Sequence, residues 1–182
     1  MKGLRIVLSL RAISAAILHA CAPLPVSPKK AMVESIVPGW RSEMSEKKRA
    51  QCHCGAVVFN VTLLDGFNNA RRCNCSYCRM RGAVAVTAPL SGIDILQGRE
   101  KLTEYRFNTG VAVHFFCSVC GIYTFHQRRS NPDQYGVNAA CIEGVSPFDF
   151  AEIPVSEGVN HPSDGGGNSG VAGYLRYTPA GK

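Results

Sequence analysis

Phe116-Cys117-Ser118-Val119-Cys120-Gly121 lies between two apolar runs, Val111-Ala112-Val113-His114-Phe115-Phe116 and Ile122-Tyr123-Thr124-Phe125-His126. Two cysteines separated by two residues and followed by glycine have the form of a zinc knuckle. The turn places both sulfurs on one side, and Gly121 can adopt the positive φ that points backbone N–H groups at a thiolate. One knuckle supplies two ligands, whereas a closed tetrahedral site takes four, so a second pair is required. Cys52-His53-Cys54-Gly55, at the start of the first strand-like segment, is the available donor.

Outward from the knuckle the pattern is one of short strands between turn signals. Ala56–Thr62 and Ala83–Thr87 are rich in β-branched residues, and Pro89 stops the second. Leu102–Phe107 alternates with period two, and Asn108-Thr109-Gly110 turns it back into Val111–Phe116, which predicts a hairpin. Ile122–His126 and Tyr135–Ile142 read as two more strands. A short helix is predicted near Ser76–Arg81, and the chain beyond Pro147 reads as irregular. The fold class is therefore mainly β, with little helix.

The 182 residues are 46% hydrophobic and 18% charged, a globular composition for one domain with an extension. No uninterrupted apolar run reaches the ~18 residues that a membrane span needs. The formal charge is +7 and the sequence pI is about 9.0. Residues 1–43 hold six Lys/Arg and two acids, leaving 14 and 11 from Met44 onward. Most of the excess thus lies in the leader, which weakens a nucleic-acid reading.

That leader, residues 1–43, has three readings. It is a secretory or lipoprotein signal with Ala12–Leu18 as apolar core and Cys21 as modified residue, an organellar transit peptide, or upstream sequence before a start at Met44. The third is favoured, because zinc thiolates belong to a reducing, cytoplasmic compartment. The domain is then expected over residues 44–162. Ser163-Asp164-Gly165-Gly166-Gly167-Asn168-Ser169-Gly170 begins a flexible Gly-rich tail, 163–182.

Nine cysteines is an odd number, and pairs one or two residues apart suit convergence on a metal better than disulfides with each other. Once Cys52, Cys54, Cys117 and Cys120 are grouped, Cys73, Cys75 and Cys78 form a second cluster. Three thiolates leave a tetrahedral ion one open position, the mark of a catalytic site. His53, His114, His126, His161 and Cys141 stand open as fourth ligands, although Cys141 ends an apolar strand like a buried, inert thiol. Arg71, Arg72, Arg79 and Arg81 surround the triple. They read either as a solvated basic loop or as guanidinium groups that support thiolates and receive a substrate's carboxylates. Tyr77 reads either as a packing aromatic or as a proton donor near the open position, and packing is the favoured reading.

With these residues placed, the sequence resembles the glutathione-dependent formaldehyde-activating enzyme family, which also includes centromere protein V. The resemblance runs from about Ala50 to Pro162. It rests on Cys52-His53-Cys54-Gly55, Cys73-Asn74-Cys75-Ser76-Tyr77-Cys78, Phe116–Gly121, Tyr135-Gly136-Val137-Asn138 and Glu157-Gly158-Val159-Asn160-His161-Pro162. It implies a β-tent of small antiparallel sheets, with Cys52, Cys54, Cys117 and Cys120 on a structural zinc. Cys73, Cys75 and Cys78 would hold a second, catalytic zinc, where a thiol such as glutathione joins formaldehyde as S-hydroxymethylglutathione, a carbon–sulfur lyase reaction. Arg71, Arg72 and Arg79 would bind the tripeptide. Asn74 departs from the histidine that many members carry there. Two rival readings are a non-catalytic zinc module that contacts a protein or nucleic acid through Arg71, Arg72, Arg79, Arg128 and Arg129, and a methionine sulfoxide reductase-like enzyme. Hydrophobic edges in a small β fold can also pair into a homodimer.

Overall fold

The structure is a computed structural model, described over residues 46–167 and 170–181. The leader readings, including Cys21 and the Met44 start, lie outside the described residues. Among the described residues eleven strands follow in order: β1 (Lys47–Gln51), β2 (Val58–Thr62), β3 (Arg72–Cys73), β4 (Ala85–Pro89), β5 (Ile93–Gln97), β6 (Leu102–Tyr105), β7 (Val113–Cys117), β8 (Tyr123–Gln127), β9 (Gln134–Asn138), β10 (Glu152–Ser156) and β11 (Val171–Arg176). The α-helix among them is α1 (Ser76–Arg81). Among the described residues no helix is long and apolar enough to cross a membrane.

The strands form three small sheets, ordered β1-β2-β5, β4-β9-β8-β7-β6 and β11-β10-β3. All neighbours are antiparallel except β10 and β3. The mainly-β class expected from the sequence is what the chain adopts. The predicted hairpin is β6–β7, with Leu102 opposite Cys117 and Tyr105 opposite His114. Asn108 takes a left-handed φ of 51° in its turn, a conformation asparagine tolerates better than most residues.

The core lies between the first two sheets. Phe59 and Val61 of β2, Val86 of β4 and Val137 of β9 are fully buried beside Cys52 and Cys117. The rings of Phe59 and Phe125 meet edge to face at 5.4 Å across the layers, a geometry that adds to simple area burial. The chain therefore seats two of its metal-type cysteines inside the apolar core.

The reading of an irregular chain beyond Pro147 and an unstructured tail is corrected here. β10 and β11 pair from Glu152↔Arg176 to Ser156↔Val171, so the ordered fold reaches past Pro162 to Arg176. Pro154 in β10 and Gly173 in β11 mask the pairing, since proline in a run argues against a strand and glycine weakens one. β11 is exposed at nearly every position, so it carries no alternating apolar face. Its ladder to β10 holds it, and β10 in turn holds β3, with Val155 opposite Arg72 and Ser156 opposite Cys73. The third sheet thus anchors the head of the triple-cysteine segment.

Candidate functional site

Two turns build the four-cysteine cluster. Cys117 ends β7, and its turn closes through Gly121 N–H to Cys117 O (2.8 Å) and Cys117 N–H to Ile122 O (2.9 Å). Gly121 sits at φ 73°, as the sequence pattern requires. Val119 N–H donates to Cys117 Sγ (3.4 Å), and Val57 N–H to Cys52 Sγ (3.3 Å). The sulfurs of Cys52, Cys54, Cys117 and Cys120 lie within 4.8 Å of one another, with Cys52–Cys54 at 3.6 Å and Cys54–Cys117 at 3.9 Å. Tetrahedral zinc with Zn–S of about 2.3 Å places sulfurs about 3.8 Å apart. The donor set and its spacing fit a zinc ion.

Charge points the same way. Burial pushes the Cys120 thiol up, but the backbone N–H groups of Ile122 and Cys54 and the neighbouring thiols outweigh it and bring it down to about 6. Cys54 is lowered by the Ala56 N–H, yet burial and the thiols of Cys120, Cys52 and Cys117 hold it up at about 11. Thiols this close share protons, and a divalent cation is what allows them all to ionise together.

The second cluster comprises Cys73, Cys75 and Cys78, each half-buried, again with sulfurs within 4.8 Å. Cys73 ends β3, Cys75 is the N-cap of α1, and Cys78 lies on its first turn. Backbone N–H groups are again turned to sulfur: Cys75 N to Cys73 Sγ and Cys78 N to Cys75 Sγ, both 3.4 Å. The neighbouring thiols of Cys73 and Cys78 bring Cys75 down to about 2, while Cys78 is driven far up and Cys73 up. Of the three, Cys75 is the thiol whose surroundings most favour the ionised form. Among the described residues no histidine, carboxylate or further cysteine joins this set, so the fourth-ligand candidates do not complete it. Cys141 is buried, donates to Tyr123 O (3.5 Å) and is pushed up to about 12 by burial.

The trio lines a cavity of about 680 Å³, together with Arg71, Arg72, Arg79, Arg81, His114 and His126. Arg71 is braced, its Nη1 donating to Asn69 O (2.8 Å) and Thr87 Oγ1 (3.0 Å). Burial, then Arg128, lower it to about 10, so it remains a cation. For Arg72 and Arg79 no hydrogen bond or ion pair of the guanidinium occurs among the described residues, which leaves both free to meet a ligand. Arg128 and Arg129 also line the cavity but are engaged, with Gln134 (2.7 Å) and Asp164 (2.8 Å) respectively. Tyr77 packs on Tyr105, Phe107 and His114 at 4.6–5.4 Å, consistent with its reading as a packing aromatic.

Three features escaped the sequence reading. Arg81, grouped with the other arginines, instead spans three partners: Nη2 donates to Cys78 Sγ (3.4 Å), Nη1 meets His114 Nδ1 (3.1 Å), and the guanidinium lies 3.6 Å over the Tyr123 ring. His114 and His126 stack at 4.9 Å on the cavity wall. Asn74 is a clamp, its Oδ1 accepting from Gly158 N (2.6 Å) and Val159 N (3.2 Å). The clamp draws Gly158 so close that a Cβ there would meet Cys73 Sγ at 2.5 Å. Gly158→Ala is therefore expected to displace Cys73, lowering metal retention at the triple cluster by about tenfold or more while the melting temperature changes little. Competition with a chromogenic chelator measures it, and unchanged retention would show that the loop yields instead. The sequence signal was Gly158 within Glu157–Pro162, but the contact spans 84 residues.

The fold and its two thiol clusters define a cysteine-rich, mainly-β domain suited to hold metal, with a concave basic site beside the open cluster. The chain belongs to the glutathione-dependent formaldehyde-activating enzyme family, whose pattern matches residues 47–152. It is also similar to a protein of Rhodobacter sphaeroides whose crystal structure came from a structural genomics programme. That likeness has 57% identity and a TM-score of 0.59, covering 59% of this chain and 99% of the other.

Proposed function

We propose that this chain is a zinc-dependent carbon–sulfur lyase that adds a thiol such as glutathione to formaldehyde, with S-hydroxymethylglutathione as product, in the cytoplasm. Two zinc ions per chain serve it: a structural one on Cys52, Cys54, Cys117 and Cys120, and a catalytic one on Cys73, Cys75 and Cys78. The observation that carries the reading is three convergent thiols without a fourth protein ligand among the described residues, opening on a cavity that Arg72 and Arg79 enter unpaired. Zinc bound there supplies a redox-silent Lewis acid that keeps sulfur ionised at neutral pH.

The chain's own residues do the rest. Arg72 and Arg79 receive the carboxylates of the thiol substrate, and Arg71 adds positive field from a fixed position. Their placement around a concavity, rather than along an open stripe, favours a small anionic ligand over a nucleic-acid backbone. Addition forms one C–S bond and moves the carbonyl π pair to oxygen, with no net electron transfer.

Exchange spectroscopy on glutathione and formaldehyde, with a protein-free sample as reference, tests this directly. The zinc-loaded protein is expected to accelerate exchange well above its metal-free form at equal concentration. Equal rates with and without the metal-loaded protein would overturn the reading.

A further inference from the structure

His114 on β7 and His126 on β8 are direct partners across the ladder. Their rings stack at 17° and 4.9 Å, and both line the cavity beside Cys73, Cys75 and Cys78. Their neighbours fix where each proton sits. Arginine has donors only, so the 3.1 Å contact from Arg81 Nη1 makes His114 Nδ1 an acceptor and leaves the proton on Nε2. On the other ring, Tyr123 Oη donates to Gly136 O at 2.8 Å. It therefore accepts from His126 Nδ1, and His126 Nε2 is left as a lone pair. The room for this ring comes from Gly136, where a Cβ would meet His126 Cε1 at 2.3 Å.

The surroundings of both imidazoles favour the neutral form. Burial and then the Arg81 cation push His114 down to about 4, and the same two influences push His126 well below its ordinary value. The stack thus offers one N–H and one lone pair from adjacent rings. His114 is only 3% exposed, and its Nε2 is buried with no hydrogen-bond partner among the described residues. Buried donors are nearly always paired, so an unpaired one on a residue lining the cavity is placed to meet a polar atom that enters it.

We propose that His114 and His126 form a hydroxyl-recognition site, in which His114 Nε2–H donates to, and His126 Nε2 accepts from, one oxygen of the molecule bound at the triple-cysteine cluster. An oxygen of that molecule that both accepts and donates carries a proton, as a hydroxyl does and a carbonyl or carboxylate oxygen does not. The site rests on the reading of this cavity as the place where a thiol meets an aldehyde. As the sulfur pair forms the C–S bond, the C=O π pair moves onto oxygen and His114 N–H meets the charge that develops. The proton lost by the thiol ends on that oxygen, and the resulting O–H points at His126. Neither histidine gains or loses a proton overall.

The test is binding of two near-isosteric thiols, 2-mercaptoethanol and 1-propanethiol, to zinc-loaded protein by calorimetry, with zinc content and melting temperature recorded for every variant. His114→Phe keeps the stack and removes the donor, so the affinity ratio favouring the hydroxyl thiol is expected to fall about tenfold. His114→Gln, which restores an N–H near the Nε2 position, should keep the ratio within about threefold. If His114→Phe does not fold, His114→Asn, which can still accept from Arg81 but does not reach the Nε2 position, must show the same fall. An unchanged ratio in a folded, zinc-loaded His114→Phe or His114→Asn protein overturns the site. A protein that never turns over glutathione and formaldehyde, yet shows the His114-dependent ratio, overturns the reaction and not the site. Turnover with an unchanged ratio does the reverse.

Discussion

Serine in place of Cys117 is expected to unfold the domain and not merely to weaken it. Cys117 is fully buried within the main hydrophobic cluster, where β7 enters the knuckle turn, and its sulfur accepts from Val119 N–H. Two losses coincide. The substituted hydroxyl is a buried polar group beside apolar side chains, worth about 1–3 kcal/mol if unpaired. Larger is the metal term: structural zinc contributes about 10–16 kcal/mol of apparent binding energy, which in small metal domains is folding energy. A whole domain is stable by only about 5–15 kcal/mol. Cys141→Ser is the matched control. Cys141 is also buried but contacts Tyr123 O and belongs to neither thiol cluster, so its cost is expected to stay at about 1–3 kcal/mol. Thermal unfolding by circular dichroism, with zinc content by elemental analysis, separates the two. A Cys117→Ser protein that still melts cooperatively near the unsubstituted temperature would remove the structural role from this cluster.

The cysteine turns were legible because their ligands are close in sequence: a C-x-C or C-x-x-C pair with a following glycine fixes local geometry whatever surrounds it. β2, β4, α1 and the β6–β7 hairpin were legible through apolar runs or through Asn108-Thr109-Gly110. Elements held by backbone pairing alone were not. β1 is Lys47-Lys48-Arg49-Ala50-Gln51, with only Ala50 buried, and it reads as a charged loop until Ala50 is set against Phe59. β5 has two half-buried isoleucines, Ile93 and Ile95, too few to show a period, and β10–β11 carry a proline and a glycine. At the site, the residue types were visible but their juxtaposition was not. His114 and His126 become partners through the β7–β8 register, and Asn74 meets Gly158 through the parallel β3–β10 pair. Single-sequence reasoning has no term for the register between distant strands, and the wall of the cavity is made of such registers.

Cys75→Ser should have the opposite outcome to Cys117→Ser: a folded protein without turnover. Cys75 is half-buried and makes its structural contribution as N-cap of α1, accepting from Cys78 N–H. Serine is among the best N-cap residues, so the helix start is retained, and no core side chain changes. The expected shift in stability is therefore within about 1 kcal/mol. The chemistry has no such substitute. Cys75 is one of three convergent thiols and the one whose surroundings most favour ionisation; a serine hydroxyl does not ionise there, and the remaining two thiols hold a cation poorly. Zinc is expected to fall from about two to about one per chain, with turnover of glutathione and formaldehyde lower by about a thousandfold. Retained turnover would remove the triple from the chemistry. Unfolding to the same degree as Cys117→Ser would show that both clusters are structural, so the pair of substitutions decides whether the chain divides its seven clustered cysteines between holding the fold and acting on a substrate.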